Sequence, residues 1–539
     1  MTNPISLTLH GVSWQLPDGS FLFSELDATF DARHTGLVGR NGVGKSVLAR
    51  ILAAEVTPTG GRCARIGRLH YLPQQITPRA GETVADLAGV RGALDALHRI
   101  EAGSTLQADF DAVGDRWQLS AQLQQALSAM QLGHLQADSA AMHLSGGEAM
   151  RVALAGALVS DADWLILDEP TNHLDARHRR DLITQLQRRS GGLIVVSHDR
   201  LLLESMARIV ELSDLGLRSH GGGYSFYAER KAHERAVAIE QLERRKTDRR
   251  RQTRALTRQR ERLEQRQSRG TRQAAQANQA PILLGLQKQR AENSAGRLRV
   301  EQAAARATLS QGVRDAAAQV EDDPAIVLLA PGAAPTMPER VASLREVLLP
   351  NVRGRAQRID LRLSGAQRVG LLGANGSGKS TLLKVLAGLS EPLSGVRELA
   401  VETAYLDQRL STLDPARSTL EQMLAANPSA DESTVRTQLA LLGQNAARVP
   451  LPTERLSGGE RIKAALAMAL YAERPARLLL LDEPDNHLDL ASVQALETML
   501  RQYRGALIVV SHDTAFLANI ELTHRLQASE RGWLLTAWS

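Results

Sequence analysis

The sequence predicts an α/β protein in which two related domains flank a long helical hairpin. Three observations carry this expectation. A glycine loop closing on Lys-Ser occurs twice, as Gly39-Arg40-Asn41-Gly42-Val43-Gly44-Lys45-Ser46 and as Gly373-Ala374-Asn375-Gly376-Ser377-Gly378-Lys379-Ser380. Further short motifs recur in the same order after each loop, several of them at identical intervals. Between the copies lies a dense positive run: Arg230 to Arg272 holds 16 Lys/Arg against 6 Asp/Glu, a net of +10 in a chain whose total is +6.

Composition bounds the class. At 539 residues the chain exceeds what one hydrophobic core serves, and 43% apolar with 23% charged residues suits a water-exposed folded protein. No run approaches the roughly 18 consecutive apolar residues of a transmembrane helix, so no membrane insertion is expected. The opening MTNPISLTLHGVSW lacks a basic stretch followed by an apolar core, so no signal peptide is expected. A single cysteine, Cys63, excludes an internal disulfide and any cysteine-built metal or iron–sulfur site. These features together point to the cytoplasm, and the local positive charge points to a polyanionic partner.

In chain order, residues 5–9 read as a strand, and residues 36–39 as a second that runs into the first glycine loop. Helical spacing follows in VLARILAAEV. Strand, glycine loop and helix are the setting in which such a loop binds phosphate. The glycines let backbone N–H groups converge on an anion, and the helix N-terminus adds partial positive charge. Lys45 would then reach the terminal phosphates and Ser46 would ligate Mg²⁺.

The second loop follows the strand-like RVGLL, 379 − 45 = 334 residues further on. Gln74 in Tyr-Leu-Pro-Gln and Gln408 in Tyr-Leu-Asp-Gln stand at the same distance from their lysines (74 − 45 = 29 and 408 − 379 = 29). Leu-Ser145-Gly146-Gly147-Glu148 pairs with Leu-Ser457-Gly458-Gly459-Glu460. Asp168-Glu169 ends the apolar Trp-Leu-Ile-Leu, as Asp482-Glu483 ends Leu-Leu-Leu-Leu. Asn-His-Leu-Asp closes on Asp175 and again on Asp489. His198 and His512, each in Val-Val-Ser-His-Asp, follow Asp168 and Asp482 at one spacing (198 − 168 = 30 and 512 − 482 = 30). One interval differs clearly, while that from signature to acidic strand is only two residues longer in the second copy (168 − 145 = 23 and 482 − 457 = 25). Gln74 to Ser145 (145 − 74 = 71) is longer than Gln408 to Ser457 (457 − 408 = 49), so the first copy carries 71 − 49 = 22 extra residues in the mostly helical stretch 76–143.

The first copy ends in a short strand around Ile209 and a glycine turn after His220. Good helix formers with sparse apolar residues (Ile239, Leu242, Leu256, Leu263) then predict a helix from about Ala228 to Gln267. A turn holding Gly270, Pro281 and Gly285 follows, and a second helix from about Gln287 to Val320 completes the hairpin. The expected domain limits are 1–227, 228–322 and 323–539.

These motifs resemble the ATP-binding cassette superfamily, and the resemblance covers the regions on both sides of the linker. The LSGGE motif is that superfamily's signature and occurs in both copies. Two cassettes on one chain, no membrane segment and a charged helical linker resemble the ABC-F subfamily, whose members bind ribosomes as translation factors or antibiotic-resistance proteins. The resemblance implies an ATPase with ATP and Mg²⁺ as cofactors, and it assigns roles. The two glycine loops, with Thr381 after the second, would hold phosphates. Asp168 and Asp482, with Ser46 and Ser380, would hold Mg²⁺. Glu169 and Glu483 would polarise the attacking water, Gln74 and Gln408 would sense metal and nucleophile, and His198 and His512 would contact the γ-phosphate. With the cassettes paired head to tail inside one monomer, Ser145, Gly146 and Gly147 would close on ATP held by Lys379. Ser457, Gly458 and Gly459 would close on ATP held by Lys45.

Some positions depart from the pattern. The aromatic expected to stack on adenine has only Trp14 and Leu16 as candidates in the first copy and no clear counterpart in the second. These residues leave ATP and GTP both open. Asp485 stands where the first copy has Thr171, and Val47 where the second has Thr381; both changes are expected to tune rates. The linker arginines Arg244, Arg245, Arg249, Arg250, Arg254, Arg269 and Arg272 fall on all faces of the helix. With almost no aromatics nearby, they suit contact with nucleic-acid phosphates and not base stacking. The resemblance implies the 70S ribosome as partner, with rRNA and tRNA at the linker. The extra 22 residues are not basic and read as a helical subdomain in preference to a ribosome-binding arm. Two rival readings stand beside this one: the nucleotide-binding subunit of a transporter with separate membrane partners, and a DNA-repair ATPase. The linker charge argues against the first; the second would use the same electrostatics.

Overall fold

The computed structural model describes residues 5–172, 174–276, 300, 303–317, 337–529 and 532–538. The chain divides into two compact units, one of residues 1–225 with 324–539 and one of residues 226–323.

The first unit contains one architecture built twice. In the first copy β3 (Thr35–Val38), β5 (Leu69–Leu72), β6 (Trp164–Asp168), β7 (Gly192–Val196), β8 (Arg208–Ser213) and β9 (Gly216–Gly221) form a six-stranded sheet in the order β5-β6-β7-β3-β8-β9. All neighbours are parallel except the β8–β9 hairpin. A three-stranded antiparallel sheet holds β1 (Ser6–Gln15) between β2 (Phe21–Phe30) and β4 (Gly60–Ile66). The second copy repeats both sheets. Its large sheet runs β14 (Thr403–Leu406), β15 (Leu478–Asp482), β16 (Ala506–Val510), β12 (Arg368–Leu372), β17 (His524–Ser529), β18 (Gly532–Ala537). Its small sheet runs β11 (Arg358–Leu363), β10 (Ala342–Leu348), β13 (Ser394–Leu399).

Sequence explains the central strands. WLILD, GLIVV, LLLLD and ALIVV are buried at every position, as parallel strands covered on both faces must be. In the first copy the core joins Leu7, Leu9 and Phe30 of the small sheet to Leu48, Trp164 and Ile166. The second copy repeats this with Leu344, Ile359, Leu382 and Leu480.

The first copy places α2 (Val84–Leu87), α3 (Arg91–Glu101), α4 (Gln107–Val113) and α5 (Leu119–Ala129) where the second has only α12 (Thr419–Ala426) and α13 (Glu432–Leu441). The additional helices α3 and α4 pack on each other around Ala96, Leu97 and Val113. The guanidinium of Arg99 pairs at 2.6 Å with Asp109, whose side chain is buried.

The helix α9 (Tyr224–Gln276), which belongs to the second unit from Phe226 onward, is a single helix of 53 residues, about 80 Å long. It starts four residues before the expected Ala228 and ends nine after the expected Gln267, running straight through Gly270. One glycine costs a helix only about 1 kcal/mol, and the Arg-Gln-Ala-Ala-Gln that follows favours helix. A further helical stretch, α10 (residues 303–317), falls inside the expected second helix. Gly312 on α10 faces α9: a Cβ there would lie 4.0 Å from Arg245 Nη1. Pro281 and Gly285, expected in the turn, lie outside the described residues. Among the described residues no helix is long and apolar enough to cross a membrane.

Candidate functional site

Both glycine loops lead from the end of a central strand into a helix, β3 into α1 (Lys45–Leu52) and β12 into α11 (Lys379–Ala387). The residues that cap these helices, Gly44 and Gly378, have φ of 103° and 93°, where a side chain is strained. A Cβ would also stand 2.7 Å from Leu22 Cδ2 at Gly44 and 2.7 Å from Val352 Cγ2 at Gly378. Glycine is therefore fixed at both caps by conformation and by space. Lys45 Nζ donates to the Gly39 carbonyl at 2.8 Å and the Arg40 carbonyl at 3.1 Å; Lys379 Nζ donates to Gly373 at 2.8 Å and Ala374 at 2.9 Å. Burial lowers both ammonium pKa values. The opposing attraction comes from Glu169, Asp489 and Asp168 at Lys45, and from Glu483, Asp482 and Asp175 at Lys379.

Asp168 and Asp482 end β6 and β15, and burial raises both carboxyl pKa values. Neither oxygen of Asp168 accepts a hydrogen bond within normal distance, though the hydroxyls of Ser46 and Tyr71 lie close enough to favour its charged form. A buried carboxylate with free lone pairs beside a serine hydroxyl suits a hard cation that keeps waters. Among the described residues no cluster of three or more His, Cys, Asp or Glu could form a protein-only cage.

The next residue in each copy, Glu169 and Glu483, has φ of 50°, a left-handed pose that non-glycine residues hold only when their surroundings enforce it. Here β-strand hydrogen bonds enforce it: Glu169 N–H donates to Val196 O at 2.8 Å and Glu483 N–H to Val510 O at 2.9 Å. Glu169 Oε1 lies 3.7 Å from His198 Nε2, and Glu483 Oε1 3.5 Å from His512 Nε2. The charge states differ. Burial pushes Glu169 up to about 8 despite Lys45, and burial depresses His198 to about 3. Glu483 is lowered, first by the His512 ring 3.5 Å away, and Asn486 Nδ2 donates to it. The physical difference is water: the Glu483 side chain is 25% exposed and that of Glu169 11%.

Gln74 and Gln408 are exposed just past β5 and β14, the strands that pair with β6 and β15. Trp14 packs against the first core and Leu16 is 36% exposed. Ser145 and Ser457 cap α6 (Gly146–Val159) and α14 (Gly458–Tyr471) through reciprocal bonds with Glu148 and Glu460. The serine N–H and hydroxyl reach the glutamate at 2.7–2.9 Å in both copies.

The copies touch at the first glycine loop. Asn41 N–H donates to Asp489 Oδ2 at 2.8 Å, and Asn41 Nδ2 to the His487 carbonyl at 2.8 Å. Asp489 also caps α15 (Leu490–Gln502) by accepting from Ser492 N–H at 2.8 Å. A second cross-copy contact joins α8 (Arg200–Glu204) to α15: Arg200 Nη1 meets Glu497 Oε1 at 2.6 Å, and both side chains are buried. The Arg200 guanidinium also lies 5.7 Å from the Tyr224 ring centroid, at the first residue of α9.

A family model described as ABC transporter matches residues 27–172 and 356–486. The tylosin resistance ATP-binding protein TlrC of Streptomyces fradiae is 34% identical across 97% of this chain and 97% of its own. The chain belongs to the ABC-F subfamily of ATP-binding cassette proteins. The energy-dependent translational throttle protein EttA of Mycobacterium tuberculosis is another relative, 31% identical across 89% of this chain and 84% of its own. The archaeal ribosome recycling factor aABCE1, solved with the ribosomal stalk protein aP1, shares the fold: TM-score 0.56 over 97% of this chain and 89% of that chain, at 18% identity. As an ABC-F protein the chain is an ATPase with two cassettes.

Some residues of this ABC-F site carry no expectation from sequence. Tyr405 donates to Asp482 Oδ2 at 3.1 Å, and Tyr71 holds the matching place beside Asp168. Tyr71 opposes Ile166 and Tyr405 opposes Leu480, two residues before the aspartates, so each tyrosine shares a sheet face with its aspartate. The recurring tyrosine in Tyr-Leu-x-Gln was the available signal. Arg200 and Glu497 had none, because each lies in a helix of its own copy. Of the linker arginines named from sequence, Arg244, Arg245, Arg249, Arg250, Arg254 and Arg269 are exposed, and the Arg272 side chain lies outside the described residues.

Proposed function

We propose that this ABC-F protein binds the 70S ribosome when ATP closes both cassette sites and leaves after hydrolysis, acting on translation as a factor or as ribosome protection. The carrying observation is the bond from Asn41 in the first glycine loop to Asp489 in the second copy, because it makes one loop's geometry depend on the other cassette. The relatives' names, translational throttle and tylosin resistance, support translation as the process.

In this reading the glycine loops with Lys45 and Lys379 bind phosphates. Ser46 with Asp168, and Ser380 with Asp482, would hold Mg²⁺, whose charge would offset that of the phosphates. Glu169 and Glu483 orient the attacking water, and His198 and His512 hold the γ-phosphate. Phosphoryl transfer asks for little beyond such positioning. Ser145 and Ser457 approach the opposite nucleotide on closure. The exposed linker arginines contact rRNA and tRNA phosphates, and the protein works in the cytoplasm.

The test replaces Glu169 and Glu483 with Gln, adds ATP and sediments the protein from a cell extract. Ribosome co-sedimentation that weakens with salt is expected. Association with membranes or DNA and not with ribosomes would overturn the reading in favour of a transporter subunit or a repair enzyme.

A further inference from the structure

The second cassette departs from the first at Asp485, which occupies the position of Thr171 two residues after the glutamate. Ser511 Oγ donates to Asp485 Oδ2 at 2.7 Å, and the same Oγ accepts from Asp513 N–H at 2.9 Å. Those two bonds bracket His512, which lies between Ser511 and Asp513. In the first cassette the turn is half of this. Ser197 Oγ accepts from Asp199 N–H at 3.0 Å, but Thr171 makes no side-chain hydrogen bond among the described residues. A second difference runs the same way: Asn486 bonds to Glu483, whereas Asn172 makes no side-chain bond to Glu169. Asp485 is also placed at a cost that a passive filler would not carry. Its Oδ1 is cut off from solvent and has no hydrogen-bond partner among the described residues. Burial and the Asp513 carboxylate push its pKa up to about 7, against the hydrogen bond from Ser511 and, more weakly, the charge of Arg179 in the first copy.

We infer that Asp485 is a positioning residue peculiar to the second ATP site: through Ser511 it ties the glutamate loop to the His512 turn, so that Glu483 and His512 are held as one unit while Glu169 and His198 are not. The two sites are therefore unequal, with ordered hydrolytic geometry at the second. This rests on the reading of the Glu483–His512 pair as hydrolytic machinery.

The full chain is assayed for steady-state ATPase activity as Glu483→Gln, Asp485→Ala, Asp485→Asn, Ser511→Ala and Thr171→Ala. Glu483→Gln measures the turnover that depends on the second site. Asp485→Ala and Ser511→Ala are each expected to remove roughly half or more of that share through kcat, with KM changed less than about twofold, because misplaced groups slow chemistry and not binding. Their combination is expected to cost no more than either alone, since both break one bond. Asp485→Asn keeps an acceptor for Ser511 and is expected to retain most activity; Thr171→Ala is expected to be near wild type. Melting curves identify any variant that fails to fold, in which case Ser511→Ala carries the test. Loss of activity in Glu483→Gln with none in Asp485→Ala or Ser511→Ala overturns the inference. Equal losses in Thr171→Ala and Asp485→Ala overturn it as well. Full activity in Glu483→Gln instead overturns the underlying reading of the second site.

Discussion

Glu169 and Glu483 share one backbone pose and differ in charge, which gives two opposite predictions at the scale of a residue. Glu169 is raised to about 8 by burial, so between the unfolded carboxyl range and that value the folded state binds the extra proton. Stability from this group is present at low pH and is lost as pH rises through that window. Glu169→Gln is expected to raise the melting temperature at pH 8, with the gain shrinking toward pH 5. Glu483 is lowered, so its contribution is present above the unfolded pKa and disappears as pH falls. Glu483→Gln is expected to lower the melting temperature at pH 7. Calorimetric scans of both variants without nucleotide check the pair, and a shift of the same sign at pH 8 and pH 7 respectively would contradict it. Lys45→Ala and Lys379→Ala are each expected to lose most ATPase activity, about tenfold or more, since each removes the buried loop cation that would meet the phosphates. The candidate site residues were legible in sequence because a glycine loop or an Asp-Glu pair works only at fixed spacing. Tyr71 and Tyr405 were not, because their contact to aspartate depends on which strands pair.

Within the signature helix α14 the two glycines do different jobs. A Cβ on Gly459 would stand 2.1 Å from Ser492 Oγ at the start of α15, whereas one on Gly458 meets nothing nearer than 3.5 Å. Gly459→Ala is expected to destabilise by about 1–3 kcal/mol through overpacking, and Gly458→Ala by less than about 0.5 kcal/mol. Urea unfolding of both variants checks the difference. The linker helix shows the limit of propensity at this scale. Gly270, read with Pro281 and Gly285 as a turn, placed the expected stop near Gln267, but a lone glycine among strong helix formers does not end a helix, and α9 continues to Gln276. The extra helices α3 and α4 were legible as an insertion from interval arithmetic, while the Arg99–Asp109 pair that closes them was not.

Across the whole molecule the repeat was the most legible feature, since two copies of each motif report one architecture twice. How the copies meet was less so: Asn41 with Asp489, and Arg200 with Glu497, are far apart in sequence and have no local signature. Glu497→Ala leaves Arg200 buried without its counter-charge and is expected to cost about 3 kcal/mol or more, read by chemical denaturation. Replacing both residues with Met is expected to recover most of that loss. Tyr224, beneath Arg200, is also the first residue of α9, so the ion pair between the copies and the first turn of the linker helix share one guanidinium, and a substitution at Arg200 removes both contacts at once.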